Sequence, residues 1–219
     1  MAVAANFKTT LDGLERDFEA RTEYKLDAVV GSTGKLYAQI VYGAPYDIFL
    51  AADQERPIRL IEEDQAVVAS RFTYAFGRLI LWGTNDPATL GTSEIKRIAI
   101  ANPNLAPYGK AAEQVLAQLN LTEEVEAKLV LGENVGQAFA FVSTGNAQVG
   151  FVPEAQIISL GESATTLSWR PPSGFYDPIA QDAVLLSRAG DKPAAIAFLD
   201  YIQTDAARDI IAQHGYDLP

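Results

Sequence analysis

Short apolar segments alternate along this chain with helical patterns, and turns of small residues join them. Strands are predicted at 3–5, 25–30 and 47–51, and a second series begins at 97–101, 127–131 and 148–152. Strands that alternate with helices form parallel sheets, because a parallel connection needs a crossover, which is usually helical. The chain is therefore predicted to be α/β, with mostly parallel sheets flanked by helices.

Two longer β-type runs, 72–82 and 179–187, bracket the second series. They predict a two-lobe fold in which the chain crosses between the lobes twice, with two crossover strands as the hinge. We assign 1–77 and 184–219, with both termini, to lobe one and 78–183 to lobe two, with a ligand cleft between them. A single doubly wound domain is the alternative. In both cases ligands are expected at the carboxyl ends of the strands.

Charge and composition exclude several classes of function. Lys and Arg number 17 against 28 Asp and Glu, a formal charge of -11, so the surface repels phosphate backbones and a nucleic-acid partner is not expected. No apolar run approaches about 18 residues, the length of a membrane-spanning helix. Cysteine is absent and His214 is the single histidine, so no metal-ligand cluster, no cofactor and no enzymatic relay is predicted.

The N-terminus, Met1-Ala-Val-Ala-Ala, has neither the charged segment nor the apolar segment of a signal peptide. Either the protein is cytosolic or a signal peptide has been removed.

Four predicted strand-to-helix junctions carry small or hydroxyl residues: Ala5-Asn6, Ser32-Thr33-Gly34, Pro107-Tyr108-Gly109 and Asn134-Val135-Gly136. The first N–H groups of a helix lack partners within it, and the helix dipole is positive there. Four such ends directed at one cleft would bind an anion without Arg or Lys. For any single junction, ordinary N-capping is the alternative. Because no junction contains a carboxylate acceptor, an unprotonated dianion suits the set better than phosphate, which keeps a proton near pH 7.

Five segments in this order and spacing resemble the periplasmic molybdate-binding proteins of ABC importers. They are Ala-Asn-Phe at 5–7, Gly-Ser-Thr-Gly at 31–34, Tyr-Gly-Ala-Pro-Tyr-Asp-Ile-Phe-Leu-Ala-Ala-Asp at 42–53, Ala-Pro-Tyr-Gly at 106–109 and Asn-Val-Gly-Gln-Ala at 134–138. The resemblance implies a two-lobe periplasmic-binding-protein fold that closes on molybdate or tungstate. It further implies an extracytoplasmic, monomeric solute receptor that delivers its ligand to an ABC permease in the membrane, after removal of a signal peptide.

By position, the resemblance implies an oxyanion site at Ala5, Asn6, Thr33, Tyr108 and Val135. The expected donors are the main-chain N–H groups of Asn6, Thr33 and Val135, the Thr33 hydroxyl and the region of Tyr108. Ala5 departs from the family, whose members tend to have Ser or Thr there. Some members have Tyr where this chain has Asp177, beside Tyr176, and we expect the Asp177 carboxylate to point away from a dianion.

Lys8, Lys35 and Lys110 each lie just inside a helix that begins at a proposed junction. We expect them to draw anions toward the site against the overall charge of -11. Solvated lysines without a role are the alternative.

Two further functions stay open at this stage, a sulfate-type oxyanion receptor and the effector-binding domain of a transcriptional regulator. The regulator would need a helix-turn-helix ahead of residue 1. The order of preference among molybdate, tungstate and sulfate is not fixed by these residues.

Overall fold

The computed structural model describes residues 1–219, apart from the side chains at 162 and 163. The chain divides into two units. The first combines Met1–Gly77 with Ala180–Pro219, and the second is Arg78–Ile179. Each unit is built around its own five-stranded sheet.

The strands, numbered in chain order, are β1 (Ala2–Ala4), β2 (Val29–Gly31), β3 (Ile48–Leu50), β4 (Phe72–Gly77), β5 (Leu79–Trp82), β6 (Ile98–Ala101), β7 (Leu129–Gly132), β8 (Val149–Pro153), β9 (Ser168–Trp169) and β10 (Ile179–Leu185). The helices are α1 (Lys8–Arg21), α2 (Thr33–Val41), α3 (Glu55–Glu62), α4 (Pro107–Gln118), α5 (Thr122–Val125), α6 (Val135–Ser143), α7 (Glu154–Ile158), α8 (Glu162–Thr165), α9 (Pro193–Tyr201) and α10 (Asp205–Gln213). Short 3-10 turns occur as well, one of them at Ala5–Phe7 immediately before α1.

The predicted α/β class with helix-flanked sheets is confirmed, and each sheet is mixed. The first has the order β2-β1-β3-β10-β4, with β1 parallel to both β2 and β3, and β10 antiparallel to β3. The second has the order β7-β6-β8-β5-β9, with β6 parallel to β7 and β8, and β5 antiparallel to β8 and β9. The parallel pairs therefore join strands that are connected through helices. The antiparallel pairs contain β5 or β10, the strands from the two long β-type runs.

The long β-type run over 72–82 is divided between the two sheets. Residues 72–77 form β4 in the first sheet and residues 79–82 form β5 in the second, with Arg78 between them. Both strands are mostly apolar, and the charged Arg78 stands between them. The chain thus passes from one sheet to the other at Gly77 and Arg78.

The return passage lies at Ile179 and Ala180, four residues before the predicted boundary at 183/184. The physical reason is strand pairing: residues 183–185 of β10 pair with β3, so nearly the whole strand belongs to the first unit.

Helix α1 shows how the apolar pattern produces the core. Leu11, Leu14 and Phe18 are buried on one face, at helical spacing from the buried Phe7 that precedes them. The Phe18 ring meets Phe198 of α9 edge-on, with 5.3 Å between ring centroids. This packing holds α1 against the first unit, and with it the junction at its N-terminal end. None of the helices in the described part of the chain is long and apolar enough to cross a membrane.

Candidate functional site

The first two predicted junctions lie at one edge of the first sheet. In the register of the parallel strands, Ala4 pairs with Gly31, and Val3 pairs with Leu50. The residues that follow these three strand ends therefore emerge together at the same edge. Strand pairing thus brings Ala5-Asn6 and Ser32-Thr33 side by side, although 26 residues separate Asn6 from Thr33 along the chain.

At the first junction, Ala5 and Asn6 lie in the 3-10 turn that leads into α1, and both are buried. The side-chain amide of Asn6 donates to Gln181 Oε1 at 2.9 Å and to the Tyr216 hydroxyl at 3.1 Å. Both amide protons are therefore used inside the first unit. The main-chain N–H of Asn6 has no hydrogen-bond partner within the described residues, so this N–H is the donor that the junction offers to a ligand.

At the second junction, the Ser32 side chain caps α2, with 3.4 Å from its Oγ to the Lys35 N–H. Thr33 is the first residue of the helix and is 1 % exposed. Its hydroxyl accepts a hydrogen bond from the Ala52 N–H at 3.2 Å. A threonine hydroxyl has one proton and two acceptor lone pairs. Because the Ala52 N–H occupies a lone pair, the hydroxyl proton remains for an anion.

The main-chain N–H groups of Thr33 and Gly34 also lack a hydrogen-bond partner among the residues that the structure describes. They are the orphan donors expected in the first turn of any helix. Together with the Thr33 hydroxyl they give the start of α2 three hydrogen-bond donors, and no carboxylate is among these groups. This chemistry matches an anion.

The second unit has a corresponding arrangement at the end of β6 and β7. Ala101 pairs with Gly132, so α4 and α6 both begin beyond the same sheet edge. Asn134 caps α6 by accepting from the Gln137 N–H at 3.1 Å, and Val135 is the first helical residue. Among the described residues the Val135 N–H has no partner, so it is a donor of the same kind as that of Thr33.

Tyr108 is the second residue of α4 and is buried. The turn before it is tightly packed, because a Cβ at Gly109 would lie 2.2 Å from the main-chain oxygen of Ala101. Only glycine permits this approach of the helix to the end of β6. Gly109 therefore allows the first turn of α4, which carries Tyr108, to pack against the end of β6.

The acidic residues near these junctions have partners of their own. Asp53, one residue after Ala52, forms an ion pair with Arg56 and accepts from the Arg56 N–H at 3.0 Å. Burial raises the pKa of the Asp53 carboxyl, and the Arg56 charge partly offsets that rise. Asp177 is exposed, and its carboxylate accepts from the Gln114 side chain at 2.6 Å.

Tyr176, beside Asp177, is engaged within the second unit. Its hydroxyl accepts a hydrogen bond from the Leu79 N–H at 3.1 Å. Burial raises the pKa of this tyrosine, and the bond from Leu79 works in the opposite direction. Tyr176 is therefore hydrogen-bonded to the first residue of β5.

The three lysines differ in their surroundings. Lys8 forms an ion pair with Asp12 one turn further along α1, and about half of its side chain is exposed. Lys35 and Lys110 are exposed as well. In the part of the chain whose side chains are described, no group of His, Asp or Glu could hold a metal ion.

Sequence reasoning missed the residues that support the first junction, namely Tyr74, Gln181 and Tyr216. Gln181 and Tyr216 lie 175 and 210 residues from Asn6 in sequence. No local pattern marks them. The signal available is that Gln181 and Asp182 are two adjacent polar residues inside a strand whose other residues are apolar.

The whole chain has known relatives. Residues 1–217 match the family described as bacterial extracellular solute-binding protein. A molybdate-binding protein of Azotobacter vinelandii is 44 % identical, with 100 % of this chain and 89 % of the relative covered. One of Rhodobacter capsulatus is 42 % identical, with 98 % and 86 % covered. The solved structure of the periplasmic molybdate-binding protein of Azotobacter vinelandii superposes with a TM-score of 0.93 at 39 % identity, covering 100 % of this chain and 98 % of that one.

Proposed function

This chain belongs to the family of bacterial extracellular solute-binding proteins, alongside its molybdate-binding members, and we propose that it captures molybdate or tungstate for an ABC importer. In this proposal the protein is a monomeric extracytoplasmic receptor that hands the anion to a membrane permease. It breaks no bond, uses no cofactor and has no nucleic-acid partner. The two relatives above 40 % identity support the molybdate receptor and not the sulfate-type or regulator alternatives.

The proposed binding residues are Ala5, Asn6 and Thr33 of the first unit and Tyr108 and Val135 of the second. The observation that carries this assignment is the Thr33 hydroxyl, which accepts from the Ala52 N–H and so keeps its proton for the ligand. Within the first unit, the Ala5-Asn6 junction lies at the same sheet edge as Thr33. A dianion without protons needs donors only, and this set supplies donors only.

The energy available is sufficient for tight binding. A hydrogen bond to a charged group contributes about 1.5–3 kcal/mol. Micromolar affinity requires about -8 kcal/mol and nanomolar affinity about -12 kcal/mol. Several such bonds from N–H groups that the fold already holds in place reach this range, because little ordering is left for the moment of binding.

The test is isothermal titration of ligand-stripped protein with molybdate, tungstate, sulfate and phosphate in one buffer. We expect tight one-to-one binding of molybdate and tungstate, with sulfate and phosphate at least about 100-fold weaker, a difference of about 2.8 kcal/mol. Equal binding of sulfate would contradict the assignment to molybdate. No heat with any of the four anions would overturn the proposal.

A further inference from the structure

A buried hydrogen-bonded group connects the C-terminal segment of the chain to Asn6. It consists of Asn6, Tyr74, Gln181 and Tyr216, which we call the Asn6 cluster. All four residues belong to the first unit and are at most 3 % exposed. They come from four separate parts of the sequence, so only the folded chain assembles the cluster.

Tyr216 forms two hydrogen bonds with Asn6. Its hydroxyl donates to the main-chain oxygen of Asn6 at 2.8 Å and accepts from the Asn6 side-chain amide at 3.1 Å. Gln181 Oε1 accepts the second amide proton of Asn6 at 2.9 Å. Three hydrogen bonds therefore fix both the side chain and the peptide plane that follows Asn6.

Tyr216 is itself held in place from several sides. Gly215 has a φ of +87°, a backbone conformation that glycine adopts without strain, and it turns the chain back after α10. Asp217, which directly follows Tyr216, pairs with Phe76 of β4 through two main-chain hydrogen bonds of 2.8 and 3.1 Å. The Tyr216 ring meets Phe7 edge-on at 5.4 Å. These contacts on both sides of Tyr216 fix the position of its hydroxyl.

Gln181 is supported in the same way. The Tyr74 hydroxyl lies 3.0 Å from Gln181 Oε1 and 3.1 Å from the main-chain oxygen of Ala51, so its single proton serves these two acceptors. Ala51 precedes Ala52, whose N–H donates to Thr33. The cluster therefore reaches from the first junction to the segment that orients the second.

We propose that Tyr216 and Gln181 are positioning residues of the oxyanion site. By fixing the Asn6 side chain and the peptide plane after it, they restrict rotation about the backbone bonds of Asn6 and so hold the preceding peptide, whose N–H is the donor to the anion. The inference rests on the proposed function, because it assumes that Asn6 binds the ligand. Neither residue touches the anion. Their effect is to order the donor before binding, so that the ligand does not have to order it.

The experiment compares Tyr216→Phe with a matched control, Tyr201→Phe. Tyr201 is another buried tyrosine of the first unit, and its hydroxyl donates to Asp17 at 2.8 Å, away from the cluster. Each variant loses one hydrogen-bonded hydroxyl and keeps its ring. Molybdate affinity, dissociation rate and the Tm of the ligand-free protein are measured for both variants and for the unsubstituted protein.

We expect Tyr216→Phe to raise the Kd for molybdate about 10-fold, mainly through faster dissociation, because two bonds to Asn6 are lost. Tyr201→Phe is expected to stay within about twofold of the unsubstituted Kd. A purely structural role would lower Tm in both variants and leave both Kd values unchanged, and that result would overturn the inference. Equal weakening of binding in both variants would overturn it too.

Failure of the proposed function is distinguishable from failure of this inference, because the unsubstituted protein itself would then bind no molybdate. If Tyr216→Phe does not fold, Gln181→Leu carries the same test, since it removes the acceptor for Asn6 and keeps a side chain of similar volume. Its expected Kd is again about 10-fold higher. An unchanged Kd in folded Gln181→Leu would overturn the inference.

Discussion

The main-chain N–H of Ala52 donates a hydrogen bond of 3.2 Å to the hydroxyl of Thr33, a residue 19 positions earlier in the sequence. Ala52 follows the end of β3, and Thr33 opens α2 after β2. These two strands are both neighbours of β1 and run parallel to it. The bond thus passes between two segments at one sheet edge, and it decides which way the hydroxyl can donate.

Removing the Thr33 hydroxyl is expected to weaken anion binding. Thr33→Val keeps the shape of the side chain and loses one charge-assisted bond, so the Kd for molybdate should rise about 10- to 100-fold. It also leaves the Ala52 N–H without its partner, which lowers the free energy of unfolding by about 1–3 kcal/mol. Calorimetric titration and urea unfolding measure the two effects. Thr33→Ser retains the hydroxyl and is the control; if it weakened binding as much as Thr33→Val, the hydroxyl would not be the donor.

Replacing Gly109 tests the placement of Tyr108. A Cβ there would lie 2.2 Å from the Ala101 oxygen, so Gly109→Ala must displace the start of α4. We expect a loss of about 2 kcal/mol or more of unfolding free energy, together with weaker molybdate binding. Gly190→Ala is the control, because a Cβ there meets nothing nearer than 3.5 Å and the φ of -59° suits alanine. If Gly109→Ala kept full stability and affinity, the close approach would have no functional role.

The lysines near the junctions are expected to act on the association rate. Substituting Lys8, Lys35 and Lys110 together by Gln should slow molybdate association and flatten its dependence on ionic strength, since steering by exposed charges is screened by salt. Stopped-flow measurements over a series of salt concentrations check this, with Lys25→Gln beyond the far end of α1 as the control. Unchanged association rates in the triple variant would rule out steering.

Tyr74 is expected to make the free energy of unfolding fall as the pH rises above about 10. Burial raises the pKa of Tyr74 well above its ordinary value of 10.0, and the nearby Tyr216 adds to the rise. The folded state thus keeps the phenol proton, whereas the unfolded state releases it above about pH 10. Stability from this group is therefore complete below pH 10 and falls above it, by up to about 1.4 kcal/mol per pH unit.

Urea unfolding between pH 8 and 11 measures this slope. Tyr74→Phe should show a shallower fall above pH 10 than the unsubstituted protein, whatever its absolute stability. Tyr42→Phe removes a hydroxyl from a side chain that is 90 % exposed, so its profile should follow that of the unsubstituted protein. Identical alkaline slopes for all three proteins would show that Tyr74 does not carry the effect.

Several features of this protein follow from local sequence. The spacing of Phe7, Leu11, Leu14 and Phe18 predicts the buried face of α1, because side chains three and four residues apart share one side of a helix. Ser32 and Asn134 mark the starts of α2 and α6, because their side chains accept from N–H groups of the first turn. The alternation of strands and helices likewise predicts the α/β class and the strand ends as the place for a ligand.

Other features needed the tertiary structure. The residues of the 72–82 run indicate that both halves can form strands, but only strand pairing decides which sheet each half joins. The binding roles of Ala5, Asn6, Thr33, Tyr108 and Val135 remain proposals. The partners of Asn6 and Thr33 are set by contacts between distant segments of the chain.

The sequence by itself determined the elements and the donor-rich junctions, since caps, turns and apolar periodicity act over a few residues. Only the tertiary structure decided which groups support those donors. Asn6 meets Gln181 and Tyr216 across 175 and 210 residues, and Thr33 meets Ala52 through the pairing of separate strands. Hydrogen bonds of this kind depend on strand register and on the turn at Gly215, and local sequence patterns do not encode the partners that register brings together.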